Sequence, residues 1–222
     1  MKFVSKKNNV FLSDGVVVKH VASEEAAAFE AENLKRLYDA GVVVPKVFSC
    51  DEAVLTMEFL QGETLPDILE NIEQLQIDSS SHVDLSEGLE EIVLLEIRKA
   101  TSAIIKWLSE FYNAVDSDVT GEIRGDVNGR NFLFDDALCM GVDFEEKVFG
   151  IKEQDIGRLR AFVTTYDPPG TQVKVEFARQ ILQEAVKELD VNEDEVKRQQ
   201  DFELCAMQER RNRRREVHKS SP

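Results

Sequence analysis

The chain has 222 residues, a formal net charge of −16 and 42% hydrophobic residues, enough for one core or for two small lobes around a cleft. No apolar run nears the roughly 20 residues of a membrane helix, and the acidity disfavours nucleic acid as a partner over most of the surface. Cys50, Cys139 and Cys205 are scattered, which argues against both a disulfide framework and a zinc site. His20, His82 and His218 show no metal-ligand spacing. The N-terminal residues contain no apolar signal core, so a cytoplasmic protein is expected.

Val10-Phe11-Leu12 and Val16 to Lys19 flank Ser13-Asp14-Gly15 and read as a β-hairpin. A helix follows, with Ser23 as N-cap, Glu24 and Glu25 in its positive first turn and Gly41 at its stop. Val42 to Phe48 leads past Pro45 to a strand over Ala53 to Phe59, and Gly62 breaks the pattern. A helix is expected from Leu65 to about Leu75, then a polar loop from Gln76 to Ser86. A long helix runs from about Leu89 to Val115. Its buried stripe is Leu89, Ile92, Val93, Ile97, Ala100, Ile104, Leu108 and Phe111. Ile123 to Phe144 reads as loop, hairpin, loop. From about Gln154 the chain is mostly helical, broken at Pro168-Pro169-Gly170. This order suggests an α+β chain in two lobes, residues 1–60 and 61–222.

Two readings carry chemistry. Phe132 to Phe134 and Leu138 to Val142 form two short strands around an Asp-Asp turn, which places Asn131 beside Asp143 at the open end. Two hard oxygen ligands there suit magnesium, and Asp126, on a loop with Gly125 and Gly129, presents a third carboxylate to the same cleft. Separately, Lys19 ends an apolar strand, and Glu30 interrupts the apolar helical face of Ala27, Leu34 and Leu37. Each charge needs a partner, and the two satisfy each other. Glu32, four residues before Arg36, fits a surface pair instead.

The segment Arg124-Gly125-Asp126-Val127-Asn128-Gly129-Arg130-Asn131, followed by Asp143-Phe144-Glu145, resembles the catalytic loop and metal motif of the protein-kinase-like superfamily. It looks most like the aminoglycoside phosphotransferase and choline kinase branch, and is also similar to small RIO-type and lipopolysaccharide-kinase-like members. The resemblance implies the two-lobed fold and ATP with magnesium as cofactors. It also implies that Asp126 orients or deprotonates an acceptor hydroxyl, that Asn131 and Asp143 hold magnesium, and that Lys19, held by Glu30, reaches the α/β-phosphates. "LTMEFLQGETL" resembles the hinge between lobes, with Met57 behind the adenine and the backbones of Glu58 and Leu60 bonding the base. Asp155 resembles the buried aspartate that braces the catalytic loop, and a helix N-cap is the competing reading.

The pattern departs from the family in three places. No Gly-x-Gly-x-x-Gly loop precedes Lys19, so Lys6, Lys7 and Asn8 are the groups left to cover phosphates. Arg124 stands where a histidine is typical, and Glu145 replaces the usual glycine. Only eleven residues separate Asp143 from Asp155, which leaves no room for a peptide-docking platform and favours a small hydroxylated acceptor. A RIO-like protein kinase and a pseudokinase-type nucleotide-binding scaffold are the alternatives. Residues 208–222 carry six Lys/Arg against Glu209 and Glu216. That tail suits an anionic partner, nucleic acid included, or is the solvated end of a last helix.

Overall fold

The structure, a computed structural model, describes residues 8–80, 89–115 and 121–219, the side chains of 78–80 and 214–219 excepted. Strands β1 (Asn9–Ser13) and β2 (Val16–His20) form the expected hairpin. Asp14 and Gly15 both take positive φ, 50° and 81°, the turn whose twist matches that of paired strands. Helix α1 (Glu24–Asp39) starts at Ser23, whose hydroxyl accepts the Ala26 N–H at 3.3 Å. It turns Ala27, Glu30, Asn33, Leu34 and Leu37 inward, onto β3 (Val47–Asp51) and β4 (Val54–Glu58). The four strands pair in the order β1-β2-β4-β3, so Lys19 on β2 lies opposite Leu55 on β4.

The rest of the chain is mainly helical. Strand β5 (Glu63–Thr64) leads into α2 (Leu65–Ser80), and α3 (Glu91–Ala114) precedes β6 (Gly121–Ile123). The hairpin β7 (Phe132–Asp135) and β8 (Leu138–Gly141) pairs with β5, while β9 (Val148–Gly150) pairs with β6. Helices α4 (Lys152–Thr165), α5 (Gln172–Leu189) and α6 (Glu193–Lys219) complete the described chain, with α5 on α3 and α6 on α4. Among the described residues, no helix is long and apolar enough to cross a membrane.

Trp107 of α3 organises the centre. Its ring stacks on Phe111 and meets Phe132 edge-on at 5.5 Å, and its Nε1 donates to the Val43 carbonyl at 2.9 Å. The same carbonyl accepts the Gly141 N–H at 3.0 Å. Gly141 has to be glycine, because a Cβ there would lie 2.1 Å from the Trp107 ring. The hairpin that leads to Asp143 is thus seated on α3 and on the connector between α1 and β3. Lys174 of α5 is fully buried; its ammonium lies 3.1 Å from Glu73 of α2 and donates to the Pro168 carbonyl at 2.7 Å.

Three expectations are corrected. Helix α2 continues to Ser80, since neither glycine nor proline intervenes to stop it at Leu75, and the remainder of the expected loop lies outside the described residues. Ile92 is 51% exposed, because it sits one residue, about 100° of helical turn, off the buried line of Val93, Ile97, Ile104 and Phe111. Ile123, expected to open a loop, instead ends strand β6, and β9 falls on a stretch with no expected element; both strands are too short for their alternation to show. The basic tail is helical to Lys219, and part of its charge is neutralised on the spot. Arg210 pairs with Glu203, and Arg213 with Glu209 at 3.2 Å. Lys6 and Lys7 lie outside the described residues.

Candidate active site

The pair expected between Lys19 and Glu30 is formed, with Nζ 2.8 Å from Glu30 Oε1. The strand period turns Lys19 inward, and the helical period turns Glu30 to meet it. Two further carboxylates converge on the same ammonium, Asp143 Oδ1 at 2.9 Å and Glu145 Oε1 at 2.8 Å. Burial alone would pull the Lys19 ammonium down, but Glu30, Asp143 and Glu145 outweigh it and hold its pKa above the ordinary lysine value. Burial pushes the Glu30 carboxyl up, against the pull of Lys19. Glu30 Oε2 is buried with no hydrogen-bond partner. The Asn8 side chain donates to Glu145, which places this asparagine at the mouth of the cluster. Glu32 is exposed as expected, but Arg36 pairs across the molecule with Glu122 of β6.

The loop from Arg124 to Asn131 is held from below by α4. Asp155 is fully buried; its Oδ2 accepts the Arg124 N–H at 2.7 Å and the Tyr112 hydroxyl at 2.9 Å, and its Oδ1 accepts the Gly125 N–H at 2.9 Å. The N-cap of α4 is Ile151, so of the two readings of Asp155 the structure shows the brace. Burial raises the Asp155 pKa, while the two backbone donors and the tyrosine oppose the shift. Gly125 takes φ +75°, and a Cβ there would lie 2.4 Å from Val148. That backbone turn brings Asp126 out to solvent, where its Oδ1 accepts the Asn128 N–H at 3.2 Å.

Asn131 closes a 3-10 turn, Gly129–Asn131, and its Nδ2 donates to the Asp126 carbonyl at 3.2 Å. Its own carbonyl accepts the Val142 N–H at 3.0 Å, so Asn131 stands opposite Val142, one residue short of the expected Asp143, because β8 ends at Gly141. Asp143 takes φ 67°, and its side chain is 42% exposed. Asp126, Asn131 and Asp143 therefore lie on one continuous hydrogen-bonded frame, with Lys19 and Glu30 brought to it from the sheet.

Arg124 does more than fill the place of a histidine. Its Nη2 donates to the carbonyls of Val142 at 2.7 Å and Asp143 at 2.8 Å, and its guanidinium lies 4.3 Å from the Phe144 ring centroid. Asn33, three residues beyond Glu30 on the same face, donates to the Phe144 carbonyl at 3.3 Å. Its position on an apolar stripe was a usable signal. Arg158, which donates to the Gly125 carbonyl at 3.2 Å, had no such signal. At the expected hinge, Met57 is buried between Val17 and Val47, and the Glu58 N–H donates to the Lys46 carbonyl at 2.8 Å. Leu60 lies past the end of β4 and is partly exposed.

Residues 13–93 match the family model of the RIO domain. No curated protein matches the chain. Among solved structures, the streptomycin–ATP–APH(2″)-IIa ternary complex aligns with a TM-score of 0.53 at 14% identity, covering 92% of this chain and 81% of that one. The amicoumacin kinase hAmiN, in complex with AMP-PNP, Ca2+ and Ami, aligns with a TM-score of 0.51 at 13% identity, covering 85% and 72%. At such identities the likeness concerns the path of the chain. A four-stranded sheet with one helix, joined to a helical body that carries a braced loop and a hairpin, follows that path: the chain has the two-lobed fold of the protein-kinase-like superfamily.

Proposed function

We propose that the chain transfers the γ-phosphoryl group of ATP to a hydroxyl acceptor, in a cleft between lobes formed by residues 1–60 and 61–222. The carrying observation is the meeting of Lys19 and Asp143 at 2.9 Å, with Glu30 behind the ammonium and Asn131 bonded to Val142, the residue before Asp143. A cation that only stabilised the fold would need one carboxylate. Three carboxylates around one lysine, two of them partly exposed, give a site with acidic oxygens to spare once Lys19 turns to phosphates.

In this reading Lys19 neutralises the α- and β-phosphates, and Glu30 keeps it extended across the cleft. Met57 backs the adenine. The Glu58 N–H already has a partner in Lys46, so its carbonyl and the Leu60 peptide are the groups offered to the base. Asn131 Oδ1 and the Asp143 carboxylate are hard oxygen donors that fit magnesium, and the orphaned Glu30 Oε2 leaves the cluster with unused acceptor capacity. Magnesium, when bound, neutralises phosphate charge. Asp126, exposed at the head of its loop, aligns the acceptor hydroxyl and takes its proton. The acceptor oxygen bonds to the γ-phosphorus as the bond to the β–γ bridging oxygen breaks, and ADP leaves.

A small molecule is the favoured acceptor. The short Asp143–Asp155 interval supports it, and so does the presence of streptomycin beside ATP in one structural neighbour. The match over residues 13–93 favours a second reading, a RIO-type protein kinase. A pseudokinase scaffold would bind nucleotide without turnover. In either active reading the protein works in the cytoplasm. Incubation with labelled ATP and magnesium, over panels of amino alcohols and sugars and over protein extracts, separates these readings. Label on a small acceptor supports the first and label on protein the second. Binding without transfer to either contradicts the phosphotransferase.

A further inference from the structure

Gly129 is a glycine that backbone conformation does not explain, for its φ is not positive. Space explains it: a Cβ there would lie 2.8 Å from the Tyr166 hydroxyl oxygen and 3.1 Å from Leu65 Cβ. The Tyr166 hydroxyl accepts the Gly129 N–H at 2.8 Å and donates to Asn128 Oδ1 at 3.2 Å. Asn128 in turn gives its own N–H to Asp126 Oδ1 at 3.2 Å, and its Oδ1 also accepts the Arg130 N–H at 3.1 Å. One phenol thus holds both residues at the centre of the loop that joins Asp126 to Asn131.

Tyr166 is placed to do this by the same helix that braces the start of the loop. It follows α4 directly as its C-cap, with its N–H on the Phe162 carbonyl at 3.2 Å. At the other end of α4, Asp155 and Arg158 hold Arg124 and Gly125. The helix therefore grips the loop on both sides of Asp126, and the glycine at 129 lets the phenol approach the backbone. The hydroxyl is partly buried, and burial pushes its pKa up to about 12, so it remains a neutral donor at any working pH.

Resting on the phosphotransfer reading, we infer that Tyr166 is a positioning residue for Asp126, acting through Asn128 and Gly129. The hydroxyl orders the loop, and the loop's Asn128 N–H fixes the direction of the carboxylate. Tyr166→Phe removes the hydroxyl and keeps the ring. Turnover of magnesium–ATP should then fall about tenfold, the scale of one net hydrogen bond, with the dissociation constant for ATP unchanged within about twofold. In an Asp126→Asn background the same substitution should cost nothing further, since the group it positions is gone.

Amide hydrogen exchange reads the geometry without reference to activity. In Tyr166→Phe, Asn128 and Gly129 should exchange about tenfold faster, while Arg124 and Gly125, held by Asp155, stay protected. An equal loss of turnover with and without Asp126, or unchanged protection at Gly129, overturns the inference. If the wild type turns over no ATP, the phosphotransfer reading fails by itself. The exchange result then decides whether Tyr166 orders the loop.

Discussion

Lys19 stands at the inward end of a Val-Val-Val strand, and Glu30 stands on an apolar helical stripe. Each charge requires compensation there, and the two lie 2.8 Å apart. Replacing Lys19 by methionine leaves Glu30 buried without a counter-ion beside two more carboxylates. The variant should lose about 3–5 kcal/mol at neutral pH in urea denaturation, and less in mild acid, where a proton can replace the ammonium on Glu30. The alkaline side carries the opposite sign. The folded pKa of Lys19 is raised, so its ammonium stabilises the fold fully below the ordinary lysine value of about 10.4, and this is lost as pH climbs above it. Wild type should therefore lose more stability in alkali than Lys19→Met does. Arg36 marks the limit of such local reasoning. Glu32 is its neighbour by helical spacing, yet its partner is Glu122, 86 residues away, and no spacing rule reports a contact of that kind. Tyr166 was equally hidden, since a tyrosine after a helix has no signature until the loop it meets is placed.

At the scale of elements, α4 is the keel of the site. Its first turns hold Arg124 and Gly125, and the residue that caps it holds Asn128 and Gly129. The loop in between can present Asp126 only because Gly125 adopts φ +75° against Val148. Gly125→Ala meets both the strain of that conformation and a 2.4 Å clash. It should lower stability by about 2–4 kcal/mol and reduce ATP turnover at least tenfold, measured on the folded fraction at low temperature. The hairpin reading came within one residue, since the antiparallel pair sets Asn131 opposite Val142, the residue before Asp143. The two-residue and three-residue strands β5, β6 and β9 were not legible, since alternation needs more residues than they have. The Lys174–Glu73 pair joins α5 to α2. Lys174→Ala should destabilise by about 3 kcal/mol, and it should leave ATP affinity unchanged once folding is restored by cooling.

For the molecule as a whole, several polar links among the described residues join the sheet to the helical body, and most of the side-chain ones from the sheet and α1 converge on the Asp143 segment. Lys19 reaches Asp143 and Glu145, Asn33 reaches the Phe144 carbonyl, and Arg36 reaches Glu122. A nucleotide that bridges Lys19 and Asp143 would add to the same seam. Magnesium–ATP at about 100 times its dissociation constant should stabilise the protein by about 2.7 kcal/mol, or raise its melting temperature by about 5–10 °C. Asp143→Ala should abolish the magnesium-dependent part of that rise. The order of elements was readable because strands, a lysine, a helix with its glutamate and a braced loop follow one another in chain order. The acceptor is not readable in the same way, because a substrate is set by the particular side chains of a site and not by the order of elements.

All of this turns on whether Asp126 does chemistry at a nucleotide site built by Lys19, Asn131 and Asp143. The deciding comparison is magnesium–ATP turnover and ATP affinity in wild type and Asp126→Asn, which keeps the shape of the side chain and removes its charge. Turnover should fall about 10²-fold or more, with the dissociation constant for ATP and the melting temperature preserved. Turnover that survives the substitution at the wild-type rate would refute that role for Asp126.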